Sequence, residues 1–285
     1  MKEVKVNPTF KIGGELAVNR LGYGAMRITG KGIYGLPDDK QECLAVLKKA
    51  IALGVNFIDT ADSYGPNVSE ELIAEALYPY PKDLVIATKG GFLRTGPDKW
   101  VKEGSRQHLS DALEGSLKRL KTDHIDLYQL HRIDDKVPED ETFGFLQKAQ
   151  QEGKIKHIGL SEVGIEEIER AKKFFNVVSV QNMYSVDNRK WEVVLDYCSG
   201  QHIAFIPWYP LNAGNVKSVE VLKEVGQRHD ATPHQVALAW LLHRAPNILL
   251  IPGTSKVRHL EENMKAASVA LTEDDMGRLD DISGN

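Results

Sequence analysis

Asp59, Tyr64, Lys89 and His131 bring together an acid, a phenol, an amine and an imidazole, and three of them end apolar, strand-like runs: VNFID, LVIATK and IDLYQLH. A buried strand that stops on an ionisable side chain delivers one chemical group to the end of a sheet. Tyr64 follows Asp59 closely, within DTADSYG. A phenol is a poor acid at neutral pH, with a reference pKa of ~10, so a tyrosine that donates its proton needs its phenolate stabilised. An ammonium does this by Coulomb attraction, and a carboxylate holds the ammonium in place and keeps it charged. Lys89 and Asp59 supply those two parts. A neutral His131 could then hydrogen-bond a carbonyl oxygen and orient it towards Tyr64. Such a set suits protonation of an oxygen that gains negative charge as its carbon accepts a nucleophile. The set lacks that nucleophile, and a hydride from a reduced nicotinamide fits the gap.

The four groups meet only if their strands are neighbours in one sheet. Eight short β-rich runs recur along the chain, NRLGYG (19–24), VNFID (55–59), LVIATK (84–89), IDLYQLH (125–131), HIGLS (157–161), VVSVQN (177–182), IAFIPW (203–208) and ILLIPG (248–253), with helix-length segments between them. QECLAVLKKAIALG (41–54), SEELIAEAL (69–77) and HLSDALEGSLKRL (108–120) have helical spacing of apolar residues. In the first, Leu44, Leu47, Ala50 and Ile51 share a face and Gly54 is a stop signal. Thr232-Pro233-His234-Gln235 offers a capping box to the helix VALAWLLHRA. Strand then helix, repeated, predicts a parallel sheet, either open or closed. An open dinucleotide-binding sheet would show a glycine-rich turn after its first strand, and GYGAMR has Arg27 where the third glycine should stand. With no linker or change of composition, residues 1–285 are expected to form one α/β domain, a single (β/α)8 TIM barrel. Gly13-Gly14, between short alternating runs, adds an N-terminal β-hairpin. Barrel enzymes build their sites at the carboxyl ends of the strands, which here are Asp59, Lys89, His131, Ser161, Gln181 with Asn182, Trp208, and Gly253 with Thr254.

Composition narrows the class of partner. A net charge of −4, with 42% hydrophobic and 27% charged residues, gives no electrostatic footprint for nucleic acid. No apolar stretch is long enough to span a bilayer, and the start of the chain has no secretory pattern. Cys43 and Cys198 read as two reduced thiols, no histidine pair has metal-ligand spacing, and a cytoplasmic protein acting on a small molecule is expected. The sequence leaves the oligomeric state open and is compatible with a monomer.

GYGAM, NFIDTADSYG, ATKGG, IDLYQLH, KIKHIGLSE, VQNMYS and IPGTSKVRHLEEN, taken in order, resemble the aldo-keto reductase superfamily over essentially the whole chain. LGYGAM, ALYPY, ATPHQVALAWLL and NILLIPGTS look closest to its bacterial pyridoxal-reductase-like branch. The resemblance implies a (β/α)8 barrel that binds NADPH or NADP+, in preference to NADH, in an extended conformation. It implies the acid, lysine, aspartate and histidine roles for Tyr64, Lys89, Asp59 and His131. Gly24, Ala25, Met26 and Asp59 fall in its cofactor-binding positions. Ser161 and Gln181, with the position of Glu162, match the carboxamide contacts. Trp208 matches the aromatic under the nicotinamide ring, and Tyr209, Pro210, Leu211 and Asn212 enter the diphosphate region. Gly253, Thr254, Ser255 and Lys256, with Glu262 and Asn263, match the segment that holds the adenosine 2′-phosphate and adenine. Three departures stand out. Glu162 occupies a position that is often asparagine, Trp208 replaces the commoner tyrosine, and Gly253 and His259 stand where many members carry a lysine and an arginine. Lys256 and Arg258 could supply that charge instead.

Each residue also has a plainer reading. A lone Asp59 could be a helix cap, a lone Tyr64 a loop aromatic anchored by its hydroxyl, and a lone histidine is more often structural. Lys89 is the strongest single signal, because a lysine straight after an apolar run needs a partner or a wet cavity. Tyr34 and Trp100, in loops at the barrel mouth, are candidates to line the substrate pocket. The implied activity is reduction of an aldehyde or ketone, reversibly, with pyridoxal a candidate substrate. An NADPH-binding sensor or accessory barrel with little turnover is the alternative, and an isomerase or lyase of phosphorylated substrates a third. The chain ends soon after the helix capped by Thr272, so selectivity is expected from the loops around Tyr34 and Trp100.

Overall fold

The computed structural model describes residues 6–209 and 219–283. An antiparallel hairpin of β1 (Thr9–Ile12) and β2 (Leu16–Asn19) comes first, followed by β3 (Tyr23–Gly24), β4 (Phe57–Asp59) and β5 (Val85–Gly90). A second hairpin, β6 (Phe92–Gly96) with β7 (Lys99–Lys102), precedes β8 (Ile125–Leu130), β9 (Ile155–Ser161), β10 (Val177–Gln181) and β11 (Ala204–Phe205). The parallel sheet has the order β11-β10-β9-β8-β5-β4-β3. An eighth stretch closes it, since Ile248 bridges Phe205 and Leu250 bridges Leu21, both in parallel. All eight runs expected from the sequence therefore take part in a closed (β/α)8 barrel.

Helices connect the strands: α1 (Lys40–Ala52), α2 (Val68–Leu77), α3 (Arg106–Leu120), α4 (Glu139–Gln151), α5 (Ile165–Ala171), α6 (Glu192–Gly200), then α7 (Val219–Arg228) with α8 (Pro233–Arg244), α9 (Val257–Met264) and α10 (Glu273–Asp280). Leu44, Leu47 and Ala50 of α1 are buried, and Gly54 follows that helix at a φ of +86°, where a side chain would be strained. The capping box expected at α8 forms: Gln235 N–H donates to Thr232 Oγ1 and Thr232 N–H donates to Gln235 Oε1.

Side-chain alternation explains how one strand can serve core and site together. Phe57, Val85, Ala87, Leu127, Val178, Ala204 and Leu249 form an apolar cluster inside the barrel, which also holds Ile12 and Val18 of the N-terminal hairpin. That hairpin plugs the amino end. Two residues beyond Phe57, Ala87 and Leu127 on the same inward face stand Asp59, Lys89 and Gln129. The inward surface thus changes from apolar to polar towards the carboxyl end. The outward residues Ile58, Ile86, Tyr128 and Leu130 pack in the layer beneath the helices. Arg20, missed in the sequence, is 2% exposed and stitches the closing seam. Its guanidinium donates to the carbonyls of Asn7, Leu242, Ala245 and Ile248. Burial lowers its pKa to about 10, which leaves it charged.

Candidate active site

Parallel register pairs Asp59 with Ala87 and Lys89 with Gln129, which sets the carboxylate and the ammonium on adjacent strands. Lys89 is fully buried. Its Nζ donates to Asp59 Oδ1 at 2.6 Å, to Thr60 O at 2.7 Å and to the Tyr64 hydroxyl at 3.3 Å. Burial alone would lower the ammonium's pKa, but Asp59 and Tyr64 outweigh it and the net shift is upward. Burial pushes the Tyr64 phenol up while Lys89 pulls it down, and the phenol ends above its ordinary value. Lysine stays charged and tyrosine stays protonated.

His131 closes the set. Its ring lies edge-on to that of Tyr64, with centroids 5.9 Å apart, and Ser63 Oγ is 3.4 Å from Nδ1. Burial, then Lys89, Arg132 and Arg94, hold its pKa well below the usual histidine range, so the imidazole is neutral. The four residues that open the sequence analysis come together in the structure, joined by Gln181 and by Gln129, which the sequence reading left out. Asp59 Oδ2 accepts from Gln129 Nε2 at 3.0 Å and from Gln181 Nε2 at 2.8 Å. The signal for Gln129 was its polarity two residues before His131, on the same inward face.

A cavity of about 630 Å³ opens above this network, lined by Tyr64, His131, Phe92, Trp100, Arg132, Ser161, Gln181, Trp208, Tyr209 and others. A second cavity of about 750 Å³ runs on to Thr254, Ser255 and Lys256, ahead of α9. Met26, Arg27, Ile33, Asp98 and Gly253 line both, so the two make one elongated groove. A Cβ on Gly253 would lie 2.7 Å from the Gly24 carbonyl, so only glycine lets the two backbones approach this closely there. Length, a flat aromatic at one end and a lysine at the other fit an extended dinucleotide. Of the expected cofactor residues, Gly24, Met26, Ser161, Gln181, Trp208, Tyr209 and Gly253 to Lys256 line the groove. Ala25 is buried in the core beneath it, with its carbonyl held by Ser69 Oγ. Glu262 and Asn263 lie on α9 and line neither cavity, and Pro210, Leu211 and Asn212 fall outside the described residues.

Two of the three departures answer each other. Glu162 has a φ of +57°, a region that asparagine enters more readily than glutamate. Its Oε1 accepts from Trp208 Nε1 at 2.6 Å and from Met183 N–H at 2.6 Å. An indole has the N–H donor that this carboxylate needs, so Glu162 fixes the Trp208 plane.

At the mouth, FLRTGPDKW is the β6–β7 hairpin and not the loop expected. Arg94 anchors it. The guanidinium donates to Ile33 O, Ser63 O, Gly32 O and Lys99 O, and its Cζ lies 3.6 Å from the Trp100 ring centroid. Trp100 lines the cavity. Tyr34 does not appear in either lining; it is 37% exposed, beside Arg94.

Asp62, between Asp59 and Tyr64, is buried with Oδ1 unpartnered among the described residues. Burial, then Glu70, push its carboxyl up to about 8. The folded value lies above the unfolded ~3.9, so stability held by the neutral acid is complete below the unfolded value and is lost as pH rises towards the folded one. Asp62→Asn mimics the neutral form and escapes this loss. Unfolding free energies of variant and wild type, from urea denaturation, are expected to diverge from about pH 5 to about pH 8 in favour of Asn, by on the order of a few kcal/mol. A constant difference across that range would mean Asp62 is ionised in the folded chain.

Among the described residues, no helix is long and apolar enough to cross a membrane, and no group of three or more His, Cys, Asp or Glu is placed to hold a metal. The profile of the aldo/keto reductase family matches residues 20–283. An uncharacterised oxidoreductase of Schizosaccharomyces pombe is 52% identical over 269 residues, covering 94% of this chain and 88% of that one. Pyridoxine 4-dehydrogenase of Escherichia coli is 43% identical over 281 residues, covering 96% and 98%. The crystal structure of an aldo-keto reductase from Klebsiella pneumoniae in complex with NADPH superposes with a TM-score of 0.82 at 26% identity, covering 97% of this chain and 95% of that one.

Proposed function

The chain belongs to the aldo/keto reductase family, and from that premise we propose that it is an NADPH-dependent reductase of aldehydes or ketones with Tyr64 as proton donor. The observation that carries this reading is the Lys89 ammonium bonded at once to the Asp59 carboxylate and the Tyr64 hydroxyl. NADPH bound in the groove supplies the hydride. Ser161, Gln181 and Trp208 would hold its nicotinamide end, and Thr254, Ser255 and Lys256 its far end. The NADPH-bound structural relative supports this choice of cofactor.

His131 receives the carbonyl oxygen through its ring and, being neutral, orients it without competing for the proton. As that oxygen gains charge, Tyr64 transfers its phenolic proton to it. Lys89 stabilises the phenolate left behind, and Asp59, held by Gln129 and Gln181, keeps the ammonium in place. In the reverse direction Tyr64 accepts a proton from an alcohol. Phe92, Trp100 and Trp208 give the reacting centre an aromatic surround.

The test is a panel of aldehydes and ketones, pyridoxal among them, followed by loss of nicotinamide absorbance. Turnover with NADPH, and slower turnover with NADH, is the expected result. Pyridoxal is included because of the likeness to pyridoxine 4-dehydrogenase. A protein that binds NADPH and quenches Trp208, yet oxidises none of it in a single-turnover mix with a reactive aldehyde, would contradict the proposal.

A further inference from the structure

Arg132 transfers no proton, although its charge helps to keep His131 neutral, and it lines the same cavity. It follows His131 at the end of β8. One terminal nitrogen is anchored twice, donating to His131 O at 2.6 Å and to Ser161 Oγ at 2.9 Å. Its Cζ lies 5.4 Å from the Phe92 ring centroid and 5.8 Å from that of Trp208. These contacts hold a planar fork against aromatic walls. The other guanidinium nitrogens make no hydrogen bond, and the group forms no ion pair, among the described residues. The carboxylate of Glu162 acts on it electrostatically without pairing with it, and Glu162 Oε1 is engaged by Met183 and Trp208.

A half-buried cation among aromatics is costly unless an anion completes it, and a guanidinium matches a carboxylate, phenolate or phosphate oxygen. Arg132 grips the backbone of His131, so an anion on its open edge would lie beside the carbonyl under reduction. Ser161 Oγ donates to Gln181 O and accepts from Arg132. It keeps a second lone pair for a carboxamide, so the guanidinium and the cofactor need not compete.

We propose that Arg132 selects carbonyl substrates that carry an anionic oxygen close to the carbonyl, a class that includes carboxylated aromatic aldehydes and hydroxypyridine aldehydes ionised at the ring hydroxyl. This rests on the reductase reading of the site. It is tested with 2- and 3-carboxybenzaldehyde, each against its methyl ester, in wild type, Arg132→Met and Arg132→Lys, with NADPH affinity measured alongside. Wild type favours the acids. The acid-to-ester ratio of kcat/KM falls roughly 10- to 100-fold in Arg132→Met, mainly through KM, and Arg132→Lys recovers part of it. A ratio that is the same in wild type and Arg132→Met overturns the proposal, as does a loss of NADPH affinity with the ratio held. Benzoate titrated into the NADPH-loaded protein reads the cation without turnover. Binding that depends on Arg132 supports the anion site even if no aldehyde is reduced, a result that would sink only the reductase reading. Benzoate binding that ignores the substitution, or is absent from wild type, overturns the anion site.

Discussion

Phenylalanine at position 64 is expected to lower carbonyl reduction by roughly three orders of magnitude while leaving NADPH affinity within a few-fold of wild type. The substitution removes one oxygen. The Tyr64 ring is 6% exposed and meets His131 and Trp100 edge-on at 5.9 and 6.4 Å, contacts that phenylalanine keeps. What it loses is the hydroxyl within 3.3 Å of Lys89 Nζ, and with it the only group in the set that both carries a transferable proton and has a cation ready to stabilise the resulting anion. Because burial raises the phenol more than Lys89 lowers it, the proton stays on Tyr64 until an oxygen of growing basicity draws it off. Single-turnover reduction and fluorescence titration with NADPH separate the two quantities. Wild-type rates in Tyr64→Phe would remove Tyr64 from the mechanism and point to another acid in the cavity.

Much of this site is legible in the sequence. The barrel strands are buried on both faces, so each left a continuous apolar run, and the polar residue ending it marked the carboxyl rim. The β6–β7 hairpin left no such mark. Its strands are short, and Arg94, which nothing in the sequence singled out, is 8% exposed in the fold. Besides carbonyls of its own hairpin, it is satisfied by those of Gly32, Ile33 and Ser63, in two other loops, and no local pattern announces a tertiary acceptor.

Glu162 and Trp208 illustrate the opposite limit. Each was visible as a departure from the family pattern, but their hydrogen bond joins the ends of β9 and β11 across the end of β10 and becomes apparent only when the barrel gathers those ends at one rim. Gln129 lies between these cases. Its position two residues before His131 fixes its face once β8 is accepted as a barrel strand, yet its function depends on Asp59, a partner from β4.

Methionine at position 89 should abolish turnover to a similar degree as Tyr64→Phe, but with a second signature. Lys89 is buried with no exposure and holds Asp59 at 2.6 Å, so removing the ammonium strands a carboxylate inside the barrel with Gln129 and Gln181 as its remaining donors among the described residues. Breaking one side of a buried pair costs about 3–5 kcal/mol, whereas replacing both sides with neutral groups of similar shape is far less costly. Lys89→Met alone should therefore unfold at markedly lower urea, and the double variant Asp59→Asn with Lys89→Met should regain much of that stability. Turnover should not return with it, because neither side chain can then stabilise the Tyr64 phenolate. The two measurements divide scaffolding from chemistry. If the double variant recovers both stability and rate, Lys89 serves only to satisfy Asp59. If it recovers stability alone, the ammonium is required by the reaction itself, and the destabilising burial of its charge is tolerated for that reason.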